Sequence, residues 1–390
     1  MAIEREAEDV AHVPMAFGVQ GSTLMNVAQR ISDVVTARGG RAVAVLSDNR
    51  DVALGAAVEN RYVDYTAVCP REWFSRTELA VDIAAGSAGL LRPHYGHLYD
   101  PAIDDLRQRP VRTVLLYEGH YASASLPRWR SLRESSEVVL YVHNPLSRTY
   151  GRRELTRLLD AADRVAFCAE HLRRDVEQRI GREDPRFATV LNGVDDVFRV
   201  GADRQPGGGV FDVVFVGRIT ERKGVHLALE AAARAAKRLE RRVRLRIIGS
   251  PNHAEGEQLS EYERSLRDRA RSVPCDVDFL PFTPQAEIVE ILKTASVVCL
   301  PSQWAEGLPL VALEAMAAGV PVVCSDAAGL VEACGDAALV VAGGDPSGMA
   351  DALVVLAQDE DEWVSRSRAS WRRSSLFTWE RVVDALTGPA

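Results

Sequence analysis

Lysine is almost missing from this chain. Only Lys223, Lys237 and Lys293 occur among 390 residues, and arginine supplies the rest of the 47 positive charges. Acids outnumber bases to give a net charge of −8, which argues against a general nucleic-acid binder and leaves room only for local basic patches. The six cysteines, at positions 69, 168, 275, 299, 324 and 334, form no C-x-x-C pair and no zinc-like spacing. Several lie in apolar runs where a thiol packs as a small hydrophobe, so a reduced, cytoplasmic setting is expected. The first residues, "MAIEREAEDV", lack the apolar core of a signal peptide, and no apolar run approaches the length of a membrane span. A soluble, or at most peripheral, protein is the expectation.

What is present is an ordinary globular composition, 47% apolar and 26% charged, in a chain long enough for two domains with separate cores. Short β-rich runs alternate with longer helical patterns, the mark of parallel sheets covered by helices on both faces. Strands are predicted at Val13–Phe17, Ala42–Leu46, Thr113–Tyr117, Val138–Val142, Arg164–Cys168 and Ala188–Leu191. A second series is predicted at Val213–Val216, Leu245–Ile248, Asp278–Leu280, Val297–Leu300, Val320–Cys324 and Ala338–Val341. Between the series, "DRQPGGGVFD" reads as an interdomain linker. Helical patterns cover Lys223–Arg242, Ser260–Arg271, Pro284–Ala295 and Pro309–Ala318. The fold class is α/β, with two doubly wound domains facing a central cleft. Ligands in such sheets bind beyond the carboxyl ends of the strands, so the residues just after each strand carry the functional reading.

After Val213–Val216 comes "GRITERKG". Gly217 permits close backbone approach, while Arg218 and Lys223 place two cations near one strand end. That pair suits a diphosphate, with Arg forking onto oxygens and Lys acting as a compact charge. In a chain that uses arginine nearly everywhere, a lysine at 223 carries information. An exposed basic turn is the bland alternative; a Walker A loop is excluded because no G-K-[ST] follows.

After Val297–Leu300 comes "PSQWAEGLPLVALEAMAAG". Pro309 suits the first turn of a helix and Gly319 its end. Amides around Gly307–Leu310 then form a helix N-terminus, a ready anion site. An acid beside a phosphate pocket must answer something else, and sugar hydroxyls are the natural partners of a carboxylate. The layout expected is ribose on Glu314, phosphates on the helix end and a hexose on Glu306. A merely solvated Glu314 fits poorly with its otherwise apolar helix.

Taken together, "EGLPLVALEA" with its E-x7-E form, "FVGRITERKG", "VLNGVDDVF" and "FLPFTPQAEIVEILKTASVVCLPS" resemble the family 4 retaining glycosyltransferases of GT-B fold. The resemblance runs strongly from about Val190 to Glu332. It implies an acceptor-side Rossmann-like domain over 1–200, completed by a C-terminal helix at 375–390, and a nucleotide-sugar-binding domain over 201–374. It makes Arg218 and Lys223 the donor diphosphate clamp, Glu306 the holder of the donor sugar and Glu314 that of the ribose. Gly307, Leu308, Pro309 and Leu310 would contact phosphate and sugar through the backbone, and the loop at Phe282 and Thr283 would seat the nucleobase. In the first domain the family's Gly-Gly pair is replaced by separated glycines in "FGVQGSTL". Gly21 and Ser22 are still placed near the donor phosphate. His143, in "VVLYVHNP", matches a histidine that reaches the donor sugar. Glu118, His120, His143 and Asn144 are the acceptor-side candidates.

Three patterns are set aside. Asp276 and Asp278 imitate a metal-binding D-x-D but run into a strand rather than out of one. His94 and His97 lack further ligands. The run Arg148, Arg152, Arg153 and Arg157 reads as a solvated helix face, with a membrane surface or an acidic acceptor as the other uses. No second carboxylate is placed as a nucleophile, so the resemblance implies front-face displacement in which the leaving diphosphate takes the acceptor's proton, with no metal or other cofactor. The expected substrates are a nucleoside-diphosphate sugar, with uracil as the favoured base, and a hydroxyl-bearing small polar or natural-product acceptor. The rival readings are a GT-B-like sugar-nucleotide epimerase and an inactive sugar-nucleotide-binding protein. Either is expected to lose some of Arg218, Lys223, Glu306 and Glu314, all four of which are here.

Overall fold

The computed structural model describes residues 8–14, 22–48, 52–69, 74–117, 122–201, 204–205, 207, 209–250 and 259–388. Two compact units divide the chain, one formed by Met1–Asn192 with Trp379–Ala390 and the other by Gly193–Thr378.

The first unit carries seven strands: β1 (Asp9–Val13), β2 (Arg41–Ser47), β3 (Glu59–Val63), β4 (Thr113–Tyr117), β5 (Glu137–Val142), β6 (Arg164–Phe167) and β7 (Phe187–Thr189). They form one sheet in the order β3-β2-β1-β4-β5-β6-β7, every neighbouring pair parallel. Central strands β4 and β5 are buried along their length, which is why they read as continuous apolar runs. The C-terminal helix Trp379–Thr387 packs on the helix Thr23–Ala37 of this unit. Arg38 Nη1 meets Asp384 at 2.9 Å and Arg164 donates to the Ala385 carbonyl at 3.1 Å.

The second unit carries β8 (Phe211–Val216), β9 (Val243–Ile248), β10 (Asp276–Leu280), β11 (Val297–Leu300), β12 (Val322–Ser325) and β13 (Leu339–Val341). Their order is β10-β9-β8-β11-β12-β13, again all parallel. Phe211, Phe215, Leu229, Leu245, Ile247, Met349, Leu353 and Trp363 fill its core. The alternating arginines of β9 are absorbed locally: Arg244 Nη2 reaches the buried Asp212 at 2.8 Å, and Arg246 pairs with the same carboxylate.

Four expectations shift. The first strand lies at Asp9–Val13 rather than Val13–Phe17, because His12 and Asp9 interrupt the apolar signal; residues 15–21 lie outside the described residues. Polar edge strand β3 gave no apolar run to find, since its buried Arg61 is neutralised by Glu59 at 2.8 Å and Asp105 at 3.2 Å. The stretch read as a linker lies inside the second unit, where Arg204 donates to the carbonyls of Leu292, Lys293, Ala295 and Ala318 at 2.8–3.2 Å. Residues 193–200 likewise group with the second unit: Val194 N–H donates to the Phe377 carbonyl and Arg199 to Ser374 Oγ at 3.0 Å.

Candidate active site

In the second unit the sheet grows outward in both directions from the β8–β11 pair, so the loops after these two strands border the crevice of a doubly wound fold. Gly217 follows β8 at φ 151°, and the exposed Arg218 follows it. The Arg218 side chain makes no hydrogen bond or ion pair among the described residues. A single tight turn, Glu221–Lys223, comes before the helix Val225–Ala236, which starts two residues later than the sequence pattern predicts and ends six earlier. Gly224 makes the break. It sits at φ 72°, and a Cβ there would lie 2.0 Å from the Pro301 carbonyl oxygen, so only glycine lets this turn press against the end of β11.

That contact sets the chemistry. Gln303 N–H donates to the Arg222 carbonyl at 2.8 Å, and the Arg222 guanidinium lies over the Trp304 ring at 4.4 Å. Lys223 Nζ then reaches both oxygens of Glu306, at 2.7 and 2.8 Å. Ser302, a buried residue, donates its hydroxyl to Glu306 Oε1 at 2.6 Å. Two groups separated by 83 residues in sequence are thus one charge pair at the switch point.

Leu308 is buried and anchors the loop, and Pro309 is the N-cap of the helix Leu310–Ala317 with no side-chain cap. Lacking an N–H, Pro309 contributes a position and not a donor. The Ala312 N–H bonds the Pro309 carbonyl at 3.1 Å, which leaves the Leu310 and Val311 amides with no hydrogen-bond partner among the described residues. At its far end Gly319 N–H bonds the Met316 carbonyl and Val320 N–H the Ala315 carbonyl, the paired closure that a left-handed glycine permits. Glu314 lies half-buried in the middle of this helix. Gly329 clamps the loop from behind: a Cβ there would fall 1.7 Å from the Gly307 carbonyl oxygen. On β10's loop, Phe282 is half-buried and the Thr283 hydroxyl donates to the Pro281 carbonyl at 2.9 Å.

The first unit is built differently at its own switch point, β1 beside β4. His12 Nδ1 and the Tyr117 hydroxyl are 2.9 Å apart, and Tyr117 stacks on His143 with ring centres 6.0 Å apart. His143 Nδ1 lies 3.2 Å from the Tyr141 carbonyl. A carbonyl only accepts, so Nδ1 carries the proton and Nε2 presents a lone pair. Burial pushes His143 down to about 4 and His12 to about 3, so both rings are neutral near pH 7. Their Nε2 atoms have no hydrogen-bond partner among the described residues. Asn144 follows His143 and is half-buried. Ser22 caps the helix Thr23–Ala37, its hydroxyl accepting from Met25 N–H at 3.5 Å. Gly21, Glu118 and His120 lie outside the described residues.

The patterns set aside are engaged elsewhere. Asp276 pairs with Arg242 on the edge strand β10, where Asp278 is exposed. His94 and His97 face different carboxylates, Asp82 at 2.8 Å and Asp100 at 3.0 Å. Arg157 donates to the Leu90 carbonyl at 2.7 Å, while Arg152 and Arg153 are exposed. No helix among the described residues is long and apolar enough to cross a membrane.

Ser302, Gly224, Gly329 and His12 were missed as site residues. Ser302 lay inside the quoted motif, but a serine after a strand has no distinctive signal. Gly329 sits in an alanine-rich helix where glycine looks incidental.

Each unit is a doubly wound, all-parallel sheet, the architecture of the two Rossmann-like domains of GT-B glycosyltransferases, as the solved structures show. HepE from Anabaena, solved in complex with UDP-glucose, superposes with a TM-score of 0.69 at 15% identity over 97% of this chain and 98% of that one. Sucrose-phosphate synthase from Thermosynechococcus elongatus gives 0.70 at 17% identity over 96% of each. Residues 203–374 match the family described as glycosyl transferases group 1. D-inositol 3-phosphate glycosyltransferase of Mycolicibacterium paratuberculosis is 30% identical over 359 residues, 86% of this chain and 76% of the relative. The same enzyme of Corynebacterium urealyticum is 29% identical over 350 residues, 81% and 77% respectively. The chain belongs to the group 1 glycosyltransferases, enzymes that use nucleotide sugars.

Proposed function

We propose that this enzyme moves a hexose from a UDP-sugar to a hydroxyl of a small polar acceptor with retention of configuration. The observation that carries the reading is the junction of Lys223 and Glu306 at the β8–β11 switch point, beside an uncapped helix N-terminus and the exposed Arg218. Arg218, Lys223 and the first amides of the helix Leu310–Ala317 hold the diphosphate. Glu306 accepts from the hexose and Glu314 from the ribose. The bond from the anomeric carbon to the diphosphate oxygen breaks on the same face on which the acceptor oxygen bonds. The acceptor's proton passes to the departing oxygen, whose charge the two cations and the helix amides stabilise. No step is assigned to a metal, since these groups supply the positive charge. His143, neutral with its Nε2 lone pair available, accepts a hydrogen bond from a sugar or acceptor hydroxyl. Uridine is favoured because structural neighbours include complexes with UDP and UDP-glucose. A phosphorylated cyclitol is the first acceptor to try, because the curated relatives are named for D-inositol 3-phosphate. Cytoplasmic reaction suits the free cysteines.

The test is a thermal-shift screen of nucleotide sugars, followed by transfer to inositol phosphates and assignment of the product anomer by NMR. Stabilisation by UDP-sugars and an anomer matching the donor's are expected. Stabilisation by none, or an inverted anomer, would overturn the proposal.

A further inference from the structure

We propose that Lys223 and Glu306 store the site as an internal ion pair, that the donor's diphosphate draws Lys223 off, and that Ser302 is the positioning residue that keeps Glu306 aimed afterwards. The inference rests on the donor-site reading above.

A carboxylate has about four lone-pair directions for hydrogen bonds. Lys223 takes one on each oxygen of Glu306, and Ser302 takes a second on Oε1. One direction is left, enough for one hydroxyl and not for two neighbouring hydroxyls of a hexose. One present partner must leave for Glu306 to grip a sugar. Lys223 is the mobile one, with its side chain 24% exposed on a flexible stem. Ser302 is fixed. Its carbonyl accepts from Ser325 Oγ at 2.5 Å, and its hydroxyl, with a single proton, has only the Arg222 carbonyl at 3.3 Å as another acceptor among the described residues.

The backbone around the pair has no slack. Gly224 against Pro301 and Gly329 against Gly307 leave no room for a methyl group, so the exchange is confined to side chains. A diphosphate carries more negative charge than a carboxylate and also meets the helix N-terminus, so it competes well for the ammonium group. When Lys223 turns to it, three lone-pair directions of Glu306 face the sugar while Ser302 holds the fourth. Nucleotide binding thereby opens the sugar subsite. The same exchange makes Glu306 a competitor of the nucleotide for Lys223.

Calorimetric titration with UDP tests this. Glu306→Gln should bind UDP about threefold to tenfold more tightly than the parent, because the internal anion is gone. Equal or weaker binding would overturn the exchange; Glu306→Ala carries the same expectation should the first variant fold poorly. Lys223→Ala separates the two levels of inference. Weakened UDP binding there keeps the donor-site reading whatever Glu306→Gln does, and parent-like binding would overturn that reading itself. Ser302→Ala should keep UDP affinity within about twofold of the parent while kcat for the nucleotide sugar chosen by the screen falls about tenfold, and Ser302→Thr should restore it. Parent-like kcat in Ser302→Ala, or no recovery in Ser302→Thr, would overturn the positioning role.

Discussion

Both sheets change their direction of growth beside their first strand, between β1 and β4 in one unit and between β8 and β11 in the other. The same topological position is furnished with opposite chemistry. In the second unit it holds charge: Arg218, Lys223 and Glu306, all at least partly open to solvent. In the first it holds two neutral imidazoles and two tyrosines, buried, with Tyr117 stacked on both imidazoles and Tyr141 edge-on to His143. The proposed diphosphate site is the partly exposed, charged one. At the other, burial keeps both imidazoles neutral near pH 7. The fold supplies two topologically equivalent switch points, and they differ in burial and charge.

The largest expected effect breaks the charged side of this comparison. Lys223→Ala and Arg218→Ala should each lose about 2–4 kcal/mol of transition-state stabilisation, read as kcat/KM, with the melting temperature held. Activity should also persist in excess chelator, and Asp276→Asn with Asp278→Asn should match the parent; loss of activity in chelator that magnesium restores would return the D-x-D to consideration. Next comes Gly329→Ala, which forces the Gly307 backbone aside and should cost about 1–3 kcal/mol of stability in urea unfolding, with activity falling too. On the neutral side, His143→Phe removes one acceptor and should reduce turnover by about 1–2 kcal/mol while leaving UDP affinity at the parent value.

A pH signature of comparable size follows from the same burial. The buried His12 and His143 sit below the ordinary histidine value of 6.5, at about 3 and about 4, so between those values and 6.5 the unfolded chain binds more protons. Their contribution is complete above pH 6.5 and declines as pH falls toward 4, by about 1.4 kcal/mol per pH unit for each ring. His12→Phe should flatten that decline in urea unfolding between pH 7 and pH 5. An unchanged slope would show that His12 is not held neutral.

The second unit was the more legible in sequence, for a physical reason. Its strands β11 and β12 are buried along their length, and its candidate site residues are charged side chains placed just after strand ends, where a lysine among arginines stands out. Helix boundaries there erred where tertiary contact overrode pattern, as at Gly224, which ends one turn before the Val225–Ala236 helix begins. His12 and Ser302 escaped because hydrogen bonds over long sequence separation, to Tyr117 and Glu306, give them their roles. The Lys223–Glu306 pair itself joins two motifs that each looked like a separate ligand contact. Only the β8–β11 neighbourhood brings them together.

With three lysines in the chain, one measurement addresses the donor site directly. Mass spectrometry after lysine acylation, with and without a saturating nucleotide sugar chosen by the thermal screen, reads Lys223 against Lys237 and Lys293 as internal controls. Both controls are exposed, and both lie on helical segments away from the β8–β11 loops. Selective protection of Lys223 by the ligand, with labelling of Lys237 and Lys293 unchanged, is the result expected of a diphosphate clamp at this switch point. Labelling of Lys223 that is the same with and without bound ligand would contradict it.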